Sequence, residues 1–234
     1  MQQYTTGEQN LAVSFAFIAG FVDSIGFIFL GGVFLSFMSG NTTRIATASV
    51  EGNPDLAWLA GSAVVFFLLG VMLGALVRRL AQRRVPADRV REVVMITMCG
   101  LFTLAAVLVL IDVPHAAIIV ASLGIGSMNS IFERQGEVSI PLTYMTGTLV
   151  KMGQRFVDAF FGGSHAAWLG HLKMWAGLTA GAFTGATVYH WLGIHALYVV
   201  ALLTWAVTAV SLLWRMWQRR HATGAVVKLT VDPF

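Results

Sequence analysis

The sequence predicts an all-α polytopic membrane protein, and three observations carry this prediction. Hydrophobic residues make up 57% of the 234-residue chain and charged residues only 11%, whereas a soluble domain has about 25% charged residues. Long apolar stretches alternate with short polar connections, and arginines cluster between two of those stretches. These features exclude a soluble or disordered chain. A disulfide scaffold is excluded as well, because Cys99 is the single cysteine.

The apolar stretches divide into two classes by length. A transmembrane helix needs about 20 mostly apolar residues. We therefore predict six principal transmembrane helices, at 11–31, 56–77, 93–111, 116–132, 166–190 and 192–214. The pieces 32–50 and 138–153 are apolar at one end and polar at the other, so we predict that they are half-helices or re-entrant segments. If both crossed the membrane, the two basic segments would lie on opposite sides.

The basic residues predict the orientation. Six arginines fall within residues 78–91, and Arg215, Arg219 and Arg220 follow the last span. An excess of Lys and Arg marks cytoplasmic loops, so we expect the N-terminus, the 78–91 loop and the C-terminus in the cytoplasm. This placement explains the net charge of +4 without nucleic-acid binding. Residues 1–10 lack the basic region of a cleaved signal peptide, so we expect the first span to be retained.

An internal repeat organises the chain. Residues 37–44 (Phe-Met-Ser-Gly-Asn-Thr-Thr-Arg) align with residues 144–151 (Tyr-Met-Thr-Gly-Thr-Leu-Val-Lys) at a separation of 107. Upstream, Asp23 aligns with Asn129, and downstream the pair Gly70 and Gly74 aligns with Gly181 and Gly185. We predict two units, 1–114 and 115–234, the second carrying the basic tail. Each unit holds three spans and one half-helix, and an odd number of crossings makes the repeat inverted.

Inverted repeats of this kind predict a solute site where interrupted helices meet near the membrane midplane. The predicted interruptions are Gly31–Gly32 with Gly40–Asn41 in the first unit, and residues 136–141 with Gly147 in the second. We expect the two segments to exchange neighbours across the repeat. Asp23 is then expected beside the Gly147 segment and Asn129 beside the Gly40 segment.

The candidate site combines an acid with two polar motifs. An ionisable group in the middle of a span, such as Asp23, costs several kcal/mol unless it faces a cavity or a partner. It is either a coupling or gating acid or a hydrogen-bonded cap of the neighbouring half-helix. Each motif offers freed backbone amides, hydroxyls and a cation, which suit a polar or anionic solute. Alternatively, the cations reach the interface and the hydroxyls bond their own helix. The candidate substrate-binding residues are Asp23, Ser39, Gly40, Asn41, Thr42, Arg44, Asn129, Thr143, Thr146, Gly147, Thr148 and Lys151.

Catalytic and metal-binding motifs are missing from the sequence. The six histidines show no zinc-ligand spacing, and neither a nucleophile elbow nor a nucleotide-binding glycine loop is present. We therefore expect no enzyme activity, no cofactor and no metal. Gly177, Gly181 and Gly185 form one helix face that allows another helix to approach closely, and this face is a candidate surface for a homo-oligomer.

Four segments resemble a known family: 19–23 (Ala-Gly-Phe-Val-Asp), 31–34 (Gly-Gly-Val-Phe), 38–42 (Met-Ser-Gly-Asn-Thr) and 145–148 (Met-Thr-Gly-Thr). They resemble the YoaK-like bacterial membrane proteins, a family of unknown function, over nearly the whole chain. The resemblance implies a multi-pass protein of the bacterial inner membrane. The family pattern has a Gln-Asn pair in the second half. Here Asn129 keeps the Asn and Met128 stands at the Gln position.

These observations favour a membrane transporter of a small polar or anionic solute, coupled to protons through Asp23. Two alternatives are a passive channel that uses the same site, and a membrane assembly or sensor subunit whose basic loop binds anionic lipid. A transporter predicts one cavity lined by polar groups from both units. An assembly subunit predicts an outward-facing glycine row and no cavity.

Overall fold

The computed structural model describes residues 6–134, 137–138, 140 and 142–231, and this part of the chain is almost entirely helical. Its α-helices are α1 (Thr6–Phe29), α2 (Met38–Val50), α3 (Pro54–Arg84), α4 (Val90–Leu110), α5 (Pro114–Met128), α6 (Met145–Phe160), α7 (His165–Leu192) and α8 (Ala196–Val231). Two 3₁₀ segments, Asn129–Phe132 and Gly193–His195, continue α5 and separate α7 from α8. A short antiparallel hairpin pairs β1 (Glu133–Arg134) with β2 (Glu137–Val138).

Five stretches of the described chain are long and apolar enough to cross a membrane. They are Thr6–Phe29, Pro54–Arg84, Val90–Leu110, Pro114–Phe132 and His165–Trp217. The last of them covers 53 residues and contains both α7 and the first part of α8, which the 3₁₀ segment Gly193–His195 divides. The prediction of an all-α polytopic membrane protein is therefore confirmed.

Helices α2 and α6 are not among these five stretches. Helix α2 has 13 residues and α6 has 16, which correspond to about 20 and 24 Å at a rise of 1.5 Å per residue. The hydrocarbon core of a bilayer is about 30 Å thick. Helix α6 continues seven residues beyond the predicted end of its segment at 153 and stops where Gly162 adopts a φ of 89°.

The chain reverses at the end of α1 because two glycines adopt left-handed backbone angles there. Gly31 has a φ of 66° and Gly32 a φ of 108°, angles that residues with a Cβ rarely adopt. The Gly32 amide donates to the Phe27 carbonyl at 2.7 Å, which closes the last turn of the helix. Gly40, Asn41 and Gly147 lie inside the first turns of α2 and α6. The breaks therefore precede these three residues. Of the predicted interruption 136–141, residues 136, 139 and 141 lie outside the described residues.

Two pairs of helices cross in close contact through glycines. Helix α1 packs against α7, and α3 packs against α5. A Cβ on Gly181 or Gly185 of α7 would meet backbone atoms of α1, at Phe17 and Phe21 respectively. The glycine row of α7 is therefore covered within the chain. The expectation that Gly177, Gly181 and Gly185 form an oligomer surface is wrong, because α1 already occupies that face.

The second crossing repeats the first. A Cβ on Gly70 or Gly74 of α3 would meet the backbone of Leu123 or Ser127 of α5. Leu123 and Ser127 lie 106 residues after Phe17 and Phe21, while Gly181 and Gly185 lie 111 residues after Gly70 and Gly74. Each crossing thus joins one helix from residues 1–114 to one helix from residues 115–234.

Ion pairs gather several chain segments at one end of the bundle. Arg91, at the start of α4, pairs with Glu8, at the start of α1, at 2.8 Å. Arg215 of α8 lies 3.9 Å from Glu92. The beginning of α1, the turn between α3 and α4 and residue 215 of α8 therefore share one end, which we call the basic end. The expected cytoplasmic location of the N-terminus, the 78–91 loop and the C-terminus stays a prediction.

Candidate functional site

A cavity of about 280 Å³ lies where the first turns of α2 and α6 approach each other. Both units contribute to its wall, and one aromatic residue of α3 completes it. The lining residues are Ser36, Phe37, Met38, Ser39 and Phe67 from the first unit, and Thr143, Tyr144, Met145, Thr146 and Gly147 from the second.

Asp23 positions the first half of this wall. After the reversal at Gly32 the chain runs back along α1, so that Leu35 and Ser36 reach the level of Asp23. The Asp23 Oδ1 accepts hydrogen bonds from the amides of Leu35 at 2.6 Å and Ser36 at 2.8 Å. Its Oδ2 accepts a hydrogen bond from the Ser36 hydroxyl at 2.7 Å. Asp23 is six residues, or about 9 Å, from the end of α1, so the loop before α2 folds back along α1 by that distance.

Asn129 occupies the corresponding place in the second unit. Its Oδ1 accepts a hydrogen bond from the Thr143 hydroxyl at 3.3 Å, and its Nδ2 donates to the carbonyls of Ile125 and Gly126. Asn129 and Thr143 are both buried. Ser36 and Thr143 are 107 residues apart and Asp23 and Asn129 are 106 apart. The same contact therefore recurs in both units, with an acid in one and an amide in the other.

The hydrogen bonds of Asp23 and Asn129 lie within their own units. The Asp23 carboxylate bonds the Ser36 loop, and Asn129 bonds Thr143. Ser36 and Gly147 line the same cavity. The placement of Asp23 beside the Gly147 segment and of Asn129 beside the Gly40 segment stays a prediction.

Both half-helices begin without a side-chain cap. The N-cap residues are Phe37 in α2 and Tyr144 in α6, and neither side chain bonds the first turn. First-turn amides have no partner within a helix, and they carry the positive end of the helix dipole, about half an elementary charge. Residues Met38, Ser39 and Thr146 of these turns line the cavity. Two partial positive charges therefore border the same space.

The predicted site residues divide into three groups. Ser39, Thr143, Thr146 and Gly147 line the cavity. Asp23 and Asn129 lie behind it and hold Ser36 and Thr143 in the wall. The remaining predicted residues are not among the described residues that line the cavity: Gly40, Asn41, Thr42, Arg44, Thr148 and Lys151.

The third group has other contacts. The buried Asn41 side chain accepts from the Phe34 amide at 2.9 Å and donates to the Phe34 carbonyl at 2.7 Å, so it fixes the loop before α2. The Arg44 guanidinium lies 5.9 Å from the centre of the Phe27 ring, above the Gly32 turn. Lys151 is exposed.

The Thr42 hydroxyl donates to the Met38 carbonyl, and the Thr148 hydroxyl donates to the carbonyl of the N-cap residue Tyr144.

The predicted site omitted six residues of the wall: Phe37, Met38, Tyr144 and Met145, which lie in the repeated motifs, and Ser36 and Phe67, which do not. Ser36 aligns with Thr143 at the separation of 107 that defines the motif repeat, so the repeat itself contained the signal. Phe67 lies within a continuous apolar span, and no sequence pattern distinguishes it from its lipid-facing neighbours.

The cavity wall offers hydroxyls, thioethers, aromatic rings and backbone amides. None of its described lining residues is Asp, Glu, Lys, Arg or His. No cluster of three or more metal-ligating side chains was found among the residues that the structure describes. The chemistry of this wall suits hydrogen bonding to a small solute that is neutral or carries one negative charge.

The fold and the cavity define a polytopic helical membrane protein with a polar pocket between the first turns of α2 and α6. The chain belongs to a family described as "Protein of unknown function (DUF1275)", whose model matches residues 11–210. It is 30% identical over 211 residues to the UPF0700 transmembrane protein RA0705 of Rhizobium meliloti (strain 1021), covering 90% of this chain and 89% of that protein. It is 28% identical over 136 residues to the UPF0700 transmembrane protein YoaK of Bacillus subtilis (strain 168), covering 57% of this chain and 60% of that protein. The YoaK-like resemblance is thus confirmed. No solved structure matches the chain significantly.

Proposed function

We propose that this protein is a transporter of a small polar or monovalent anionic solute, that it resides in the bacterial inner membrane, and that it has no enzyme activity. One observation carries the proposal: the first turns of both half-helices line a single cavity. Two helix dipoles of about half a charge each balance one negative charge. A dianion would keep an uncompensated charge in a wall whose described lining residues include no cationic side chain.

The proposal includes six crossings arranged as a three-plus-three inverted repeat of units 1–114 and 115–234. The division of the stretch His165–Trp217 into α7 and α8 supports the sixth crossing, because 53 residues in one straight helix would measure about 80 Å. The matched crossings support the repeat. A Cβ on Gly20 would meet the backbone of Leu178 and Ala182, and one on Gly126 would meet that of Phe67 and Val71.

Asp23 is the coupling acid of the proposed cycle. Its carboxylate accepts two amide bonds and one hydroxyl bond from the loop that carries Ser36. A proton on the carboxylate removes acceptor capacity and weakens the hold on this loop. Proton uptake at Asp23 would thereby loosen the cavity wall at Ser36, which links a proton to the movement of solute.

The two alternatives make different demands on the molecule. A passive channel would use the same cavity without needing an ionisable Asp23. An assembly or sensor subunit was expected to have an outward-facing glycine row and no cavity. The burial of Gly181 and Gly185 against α1 and the cavity lined by both units favour passage of a solute over assembly.

Uptake by the purified protein in proteoliposomes tests the proposal. The screen covers monovalent anions, amino acids and sugars, each with and without a pH gradient. Thr146→Val keeps the shape of a lining residue but removes its hydroxyl, and we expect it to lower uptake of the transported solute. The matched control is Thr187→Val, which removes an exposed hydroxyl of α7 that bonds its own helix. Equal uptake by protein-containing and empty vesicles for every solute class, or equal loss in both variants, contradicts the proposal.

A further inference from the structure

The 3₁₀ segment Asn129–Phe132, called the 129–132 segment below, lies between two cavities. All four of its residues are buried. At one end, Asn129 bonds Thr143, which lines the cavity between the first turns of α2 and α6. We call this cavity the central cavity. At the other end of the segment, the Phe132 ring lies 5.1 Å from the Cζ of Arg91, which lines a second cavity of about 760 Å³ at the basic end. The segment therefore contacts a lining residue of each cavity.

Two arginines from the first unit hold this segment of the second unit. Arg78 Nη2 donates to the Glu133 carbonyl at 2.6 Å and Nη1 donates to the Ser130 carbonyl at 3.3 Å. Arg78 Nε also lies 3.6 Å from the Glu133 carboxylate. Arg91 covers the Phe132 ring while its guanidinium pairs with Glu8. The carbonyls of Ser130 and Glu133 at the end of the segment thus accept hydrogen bonds from Arg78 of the other unit.

The matching positions at the opposite end of the bundle lack this clamp. By the separation of 106, the 129–132 segment corresponds to residues 23–26, which are α-helical within α1. By the separation of 111, Arg78 corresponds to Tyr189, and Glu133 corresponds to Phe27 at 106. Tyr189 and Phe27 cannot form an ion pair. The two ends of the repeat therefore differ in backbone conformation and in charge.

We propose that the 129–132 segment is a gate between the central cavity and the basic end, and that Arg78 and Arg91 hold it closed. The proposal rests on the proposed function in treating the central cavity as the solute site. Inverted-repeat transporters open one end while the other is closed, and the contacts of Arg78 and Arg91 with this segment are the ones that would have to break at the basic end. Opening requires Arg78 to release the carbonyls of Ser130 and Glu133, and Phe132 to leave the face of Arg91.

Thiol labelling of the cavity tests the gate without any transported solute. The reporter is Ser36→Cys, at a buried residue of the cavity wall, in the full chain with Cys99→Ala, treated in sealed vesicles with a membrane-impermeant maleimide from the basic end. We expect Arg78→Gln or Arg91→Gln to raise the labelling rate roughly tenfold, because each loses a charge-assisted contact that favours the closed state. Arg83→Gln is the matched control, since Arg83 is exposed at the same end of α3, and its rate should equal that of the reporter alone.

A second variant keeps the test decisive if Arg78→Gln does not fold. Glu133→Gln leaves both backbone bonds of Arg78 in place and removes only the ion pair, so we expect a smaller rise in the labelling rate. Unchanged rates in folded Arg91→Gln and Glu133→Gln overturn the gate. Solute uptake in the proteoliposome screen with unchanged labelling rates would support the proposed transporter and contradict the gate. Faster labelling without uptake of any solute would support the gate and contradict the proposed transporter.

Discussion

The Asp23 carboxylate lies 2.7 Å from the Ser36 hydroxyl, and this bond joins the interior of α1 to the wall of the central cavity. Ser36 lies seven residues beyond the end of α1 at Phe29, so the chain must fold back to make the contact. The corresponding bond in the second unit joins Asn129 to Thr143. The difference that matters for proton coupling is that Asp23 can titrate and Asn129 cannot.

Asp23→Asn is expected to separate transport from proton coupling. The amide keeps the shape and one acceptor oxygen, so the protein should insert and fold normally. Because the titrating group is lost, uptake driven by a pH gradient should disappear while solute exchange continues. Both rates are measured in proteoliposomes. Wild-type gradient-driven uptake in the folded variant would return Asp23 to a structural role.

Asp23→Ala is expected to damage folding as well as transport. The variant leaves the Leu35 and Ser36 amides without their acceptor, and an unsatisfied buried donor costs about 1–3 kcal/mol. Thermal denaturation in detergent should therefore give a lower midpoint for Asp23→Ala than for Asp23→Asn. Equal midpoints for the two variants would mean that these hydrogen bonds contribute little to stability.

The close helix crossings predict strong sensitivity to one added methyl group. Gly181→Ala and Gly70→Ala each place a Cβ against backbone of the facing helix, and overpacking of this kind costs about 1–3 kcal/mol. We expect both variants to lower the denaturation midpoint. Gly100→Ala in α4 is the control, because a Cβ there meets nothing within 4 Å. A midpoint for Gly181→Ala equal to that of Gly100→Ala would contradict the observed packing.

Much of the architecture was readable from residue types that membranes restrict. Glycines at fixed spacing indicated the close crossings, and the paired Met-Ser-Gly and Met-Thr-Gly motifs indicated the two half-helices. A break in a membrane helix needs such residues because backbone groups at that depth must be satisfied. The sequence therefore predicted the segments that form the cavity.

The contacts of individual side chains were not readable in the same way. The sequence singled out Asp23 but not its partner Ser36, which the left-handed turn at Gly31 and Gly32 brings back to α1. The Arg44 guanidinium lies against the same turn, at Gly32. The sequence had suggested Arg44 as a substrate-binding residue. The contacts of Asp23 and Arg44 both depend on where the chain turns after α1. A short sequence motif does not predict the direction of that turn.

Gly147→Leu is expected to block solute passage without preventing folding. Gly147 lines the central cavity, and a Cβ built there meets nothing within 4 Å, so a larger side chain has room to enter the cavity. Gly153→Leu is the matched control, since Gly153 lies in the same helix and is also open. Uptake should fall in the first variant and persist in the second. Equal uptake by both would place the solute path elsewhere.

The last prediction concerns orientation, because charge placement determines which end of the bundle faces the cytoplasm. The basic end holds Arg83 and the start of α1, whereas Asp112 lies in the exposed turn between α4 and α5 at the other end. In a Cys99→Ala background, Arg83→Cys should react with an impermeant maleimide only when the cytoplasmic face is accessible, as in inverted vesicles. Asp112→Cys should react in intact spheroplasts, since its turn would face the periplasm. Arg83→Cys keeps five of the six arginines between 78 and 91, so the charge bias should survive the substitution. Reaction of Arg83→Cys in intact spheroplasts, with Asp112→Cys protected, would invert the proposed topology and move the gate at the 129–132 segment to the periplasmic side.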